Sequence, residues 1–66
     1  MNPRYKKYLE LGGDETKLYE YIIWINQQWR QWETETDNMK PHDIKHHAMF
    51  DKWLQSKTEI INGKNI

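Results

Sequence analysis

Cysteine is absent from the 66 residues, so neither a disulfide nor a thiolate metal site can supplement the core. That matters in a chain this short. A domain of such size buries only about 60% of the surface its unfolded form exposes, and small folds usually draw added stability from disulfides, a metal or association. With the first excluded, association or unusually good packing is left. Long hydrophobic runs are missing as well. No stretch reaches the roughly 18 apolar residues of a membrane helix, and the N-terminus is charged and aromatic, unlike a signal peptide. The reading is a cytoplasmic protein. An excess of one charge is also lacking: ten Lys and Arg balance ten Asp and Glu. The overall basicity typical of non-specific duplex binders is therefore absent, as is the acidity of a polyanion mimic. There is no glycine-rich phosphate loop, no nucleophile motif and no plausible carboxylate pair. We expect no enzyme, no cofactor and no small-molecule substrate, since a domain this small rarely encloses a ligand pocket.

Large aromatic side chains are present instead: four Trp, four Tyr and one Phe. Turn and cap residues divide them among three segments. Asn2 is a helix cap and Pro3 suits the first helical position. Tyr5, Tyr8, Leu9 and Leu11 follow at helical spacing until Gly12 and Gly13 stop it. This predicts a helix over 3–11. Asp14 is a second candidate cap, with a helix over 14–35. Asp37, Asn38 and Pro41 mark the connection to a third helix over 39–62, with Gly63 as its stop.

Leu18, Ile22, Ile25, Trp29 and Trp32 recur at steps of four, three, four and three. At 100° per residue they span an arc of about 80°, a seam for a facing helix. His46, Phe50, Trp53, Lys57 and Ile60 repeat that spacing less cleanly. A short connection makes two such helices antiparallel neighbours. The expected pairs are Trp32 with His46, Trp29 with Phe50, Ile25 with Trp53, and Leu18 with Ile60. Lys57 would bury its stem along the seam and keep its amine in water. Charge agrees: residues 10–37 carry seven acids against Lys17 and Arg30, while the flanking segments are basic. The predicted fold is all-α, a short N-terminal helix followed by an antiparallel helical hairpin, a three-helix unit that self-associates.

His42, His46 and His47 cluster near the start of the third helix. His42 and His46, four residues apart, have the spacing of two metal ligands, and Asp43, Glu33 or Glu35 would have to supply a third. Such clusters more often pack or face solvent, and we assign no metal. Trp24, Ile23 and Tyr19 lie off the seam, and Arg30 is flanked by Trp29 and Trp32. One short first helix cannot cover both Ile23 and Trp24, which lie about 100° apart around the helix. Trp24 is either covered by that helix or left for an intermolecular contact. Aromatics and Arg are enriched at binding hot spots. The function expected is therefore a protein–protein interaction module, an adaptor, inhibitor or regulatory subunit. Its contact residues would be Tyr19, Ile23, Trp24 and Arg30, and its partner another protein or a second copy in a homodimer. The competing expectation is nucleic-acid binding through Arg4, Lys6, Lys7, Lys45 and Lys52. Against it, the acids Asp43 and Asp51 interrupt the presumed recognition helix, which has no arginine.

Overall fold

The Asn2 side chain accepts a hydrogen bond from the Arg4 N–H and Pro3 occupies the first turn, so the first helix, α1, spans Pro3–Glu10. It ends at Leu11 and Gly12, where φ of +102° favours glycine. α2 covers Leu18–Thr36 and α3 covers Ile44–Gln55. The computed structural model describes residues 2–61, and no strand occurs among them. The short helix followed by two mutually packed helices is the three-helix unit expected from the sequence.

Three helix boundaries differ from expectation, the start of α2 and both ends of α3. α2 begins one turn late, because the Asp14 carboxylate accepts from both the backbone N–H and the hydroxyl of Thr16, at 2.8 and 2.6 Å. That local turn competes with helix initiation, and Lys17 stands at the N-cap with no side-chain bond. At its far end α2 stops on Asp37 in the left-handed conformation, φ 59°, with the Asn38 N–H bonded to the Glu33 carbonyl. α3 is half the predicted length. Pro41 follows a cis peptide bond and lies outside the helix, and Asp43 caps it by accepting from the His46 N–H at 2.9 Å. Ser56 ends it, N–H and hydroxyl both donating to the Trp53 carbonyl. The chain then runs back across the molecule to Ile61, whose N–H donates to the Leu11 carbonyl at 2.7 Å. The stop predicted at Gly63 lies outside the described residues.

The core is Tyr8, Leu11, Trp24, Trp32, Phe50 and Leu54, with Trp29, Ile25 and Trp53 packed against it. Two predicted pairs form. Trp29 stacks on Phe50 at 3.7 Å and 8°, and Trp32 meets His46 edge-on at 5.7 Å. Trp53, expected beside Ile25, donates its indole N–H to Glu35, about 15 Å further along α2. α3 thus lies across the C-terminal half of α2, between Trp29 and Glu35, and leaves the N-terminal half uncovered on that side. Leu18 and Ile60, the outermost predicted pair, are both exposed. The Lys57 stem is buried as expected, though beyond α3, but its amine, expected in water, lies over the Trp53 ring and donates to Gln31.

α1 closes the remaining side. Arg4 pairs with Asp51, and the buried Lys7 amine donates to the Gln55 carbonyl at 2.9 Å. Tyr5 and Tyr8 pack on Tyr21, and Tyr8 on Trp24. Desolvation in this cluster raises the Tyr21 phenol above its ordinary range, with Arg4 pulling it down and Asp51 pushing it up more weakly.

Candidate functional site

A 19-residue α2 crossed by a 12-residue α3 leaves apolar surface behind. Leu18 and Ile22 continue the stripe that Trp29 occupies, while Tyr19 and Ile23 form the next stripe around the helix, in line with Asn26 and Arg30. Among these, Leu18 is 63%, Tyr19 61%, Ile22 55% and Ile23 53% exposed. Four large apolar side chains therefore stand together on one rigid helical face. Isolated exposed apolar residues need no explanation, but a contiguous group does.

Toward the C-terminus the same face runs into a cleft of about 440 Å³ lined by Asn26, Trp29, Arg30, Glu33, Lys40, His42 and His47. Its one carboxylate, Glu33, is buried and lies 2.7 Å from His42 Nε2, where an imidazole N–H donates to it. The His42 ring stacks against Trp29 at 4.9 Å, and its Nδ1 lies 3.4 Å from His46 Nδ1. That contact needs an N–H on one ring and a lone pair on the other. Arg4 donates from Nη2 to His47 Nδ1 at 3.2 Å and lies over the Trp29 and Phe50 rings. The Arg30 and Lys40 side chains make no hydrogen bond or ion pair among the described residues, so the cleft carries two unpaired cations. The Asp43 carboxyl at the α3 N-cap is held below its ordinary range, chiefly by the His46 N–H. No group of three His, Asp or Glu side chains among the described residues could hold a metal. Nor is any described helix long and apolar enough to cross a membrane.

Of the residues singled out from sequence as partner contacts, Tyr19, Ile23 and Arg30 are exposed along this face. Trp24 is not with them. It is 8% exposed, its ring 5.6 Å from that of Tyr8, so covering by α1 is the alternative realised. The basic residues of the competing reading are dispersed. Arg4 and Lys7 are engaged inside the fold, and Lys6, Lys45 and Lys52 are exposed on α1 and α3. Leu18 and Ile22 were missed as surface residues because periodicity placed them in the seam. The signal that would have exposed them is the early end of α3, marked by Ser56 and Thr58. Comparison of the chain with family models, curated proteins and solved structures finds no match.

Proposed function

We propose that this chain is a small cytoplasmic protein–protein interaction module, an adaptor or regulatory subunit, that docks an amphipathic helix on the uncovered half of α2. The observation that carries this reading is the exposure of Leu18, Tyr19, Ile22 and Ile23 side by side on one helix. The face has the i, i+4 spacing by which one helix presents ridges to another. It is preorganised, because Trp24 and Tyr21 on the opposite side anchor α2 to α1, so docking need not order the helix first.

A photo-crosslinking residue at position 19 tests the reading, with the same group at Lys6 on α1 as control. A protein adduct formed in the native cytoplasm from position 19, lost when Ile22→Asp is added and not formed from position 6, is the expected result. Equal labelling from both positions, or none from position 19, overturns it.

A further inference from the structure

We propose that the cleft between α2, the 37–43 connection and α3 is a binding site for a phosphate group. Asn26 and Arg30 reach it from α2, Lys40 from the connection and His47 from α3. Arg30 brings a planar fork of N–H groups and Lys40 an ammonium, and neither meets an acceptor among the described residues. Arg4 fixes a third donor. Its Nη2 lies 3.2 Å from His47 Nδ1, and a guanidinium can only donate, so Nδ1 offers its lone pair. The proton of the neutral His47 ring therefore sits on Nε2, which has no partner among the described residues. The exposed Asn26 amide is likewise unbonded there.

Nothing else in the lining consumes these donors. Glu33 is its one carboxylate, and the Glu33 Oε2 already takes the His42 Nε2–H at 2.7 Å. With that proton on Nε2, His42 Nδ1 accepts from His46 Nδ1 and gives the cleft no donor. Arg30 and Lys40 against Glu33 leave the lining with an excess of positive charge. Donors drawn from three elements suit a tetrahedral oxyanion better than a planar carboxylate. Phosphate turns its oxygens in several directions, and an arginine fork takes two of them at once. The cleft volume of about 440 Å³ lies within the few hundred Å³ usual for ligand sites, enough for phosphate and the group that carries it. Arg30 and Lys40 are exposed, so solvent and salt screen them and the affinity is modest. None of this depends on what covers the apolar half of α2, so failure of the site would leave the crosslinking result untouched.

Two-dimensional NMR of the full chain at neutral pH, titrated with sodium phosphate or with sodium chloride at equal ionic strength, tests the assignment. Phosphate should give saturable shifts at the Asn26, Arg30 and His47 side chains, with a dissociation constant on the order of 1 mM, and chloride none. Arg30→Gln and Lys40→Gln should each weaken binding about tenfold, the loss of a charge-assisted hydrogen bond. Lys6→Gln, on α1 outside the cleft, should leave it unchanged. Circular dichroism should be the same for all three variants, since none of these side chains is bonded within the fold. A phosphoserine set between alanines in a short peptide, run beside inorganic phosphate, separates the two sources. Tighter binding of the peptide assigns the phosphate to a modified partner, tighter binding of the free ion to a small molecule, and either supports the site. Absence of saturable shifts, shifts that chloride reproduces, or binding that survives Arg30→Gln or falls equally with Lys6→Gln overturns it. So does a His47 ring-nitrogen spectrum with the proton on Nδ1, since the third donor is then missing.

Discussion

The Tyr8 phenol lies over Gly13, and a Cβ there would sit 2.3–2.5 Å from three of its ring carbons. Tyr8 cannot move aside: it is 1% exposed, packs on Tyr21 and Trp24, and its hydroxyl accepts from the Asp14 N–H at 3.1 Å. Gly13→Ala should therefore cost about 1–3 kcal/mol by overpacking, read as a lower midpoint in urea denaturation. An unchanged midpoint would mean that the ring is not held against the turn. Glu33 poses the opposite problem, a buried group whose partner depends on it. Glu33→Ala should strand the His42 ring N–H and cost about 1–3 kcal/mol, whereas Glu33→Gln keeps an acceptor oxygen within reach and should cost clearly less. Equal losses for the two variants in the same denaturation assay would argue against the hydrogen bond. The sequence placed Glu33 near the histidines only as one of several candidate neighbours. Its pairing with His42 depends on the path of residues 37–43, which no local pattern specifies.

At the scale of elements, caps set the limits of α3. Asp43 is exposed, yet its carboxylate accepts the His46 N–H, and that hydrogen bond holds its folded-state pKa below the ordinary aspartate value. A carboxyl that is more acidic in the folded state adds stability above its unfolded value, and that stability is lost as pH falls through the folded value. Asp43→Asn should keep a cap and flatten this part of the acid dependence, while Asp43→Ala should lower the melting temperature at neutral pH as well. Thermal melts between about pH 6 and 3 check both, the window spanning the ordinary Asp value near 3.9. If the wild type and Asp43→Asn lose stability in parallel on acidification, the cap is not the cause.

Helix identity was legible in the sequence and helix length was not. Asn2-Pro3 and Gly12 bracket α1, and the Trp29–Phe50 and Trp32–His46 contacts follow from spacing alone. Ile60 and Ile61 continue that spacing beyond Gln55, but the Ser56 hydroxyl closes the helix and the Ile61 N–H is used by Leu11, 50 positions away. Such a long-range bond leaves no periodic trace. Trp24 shows the same limit, since its burial depends on where α1 folds back and not on its place on α2.

For the molecule as a whole, the uncovered half of α2 separates folding from association. Ile22 is 55% exposed and contributes little to the core, so Ile22→Asp should change monomer stability by no more than about 0.5 kcal/mol. Association adds a term that depends on concentration. A state bound by a second copy is stabilised by mass action, and its melting temperature rises with total protein. If a second copy covers this face, the wild-type chain should melt several degrees higher when concentrated than when dilute, since for a chain of this size about 1 kcal/mol shifts the midpoint by roughly 4–8 °C. Ile22→Asp should melt at one temperature throughout, matching the dilute wild type. If the variant instead melts far below the dilute wild type, Ile22 supports the monomer core and the α2 face is not free surface. If the wild-type midpoint ignores concentration, four apolar side chains remain in water in the isolated chain, and only a different protein would cover them.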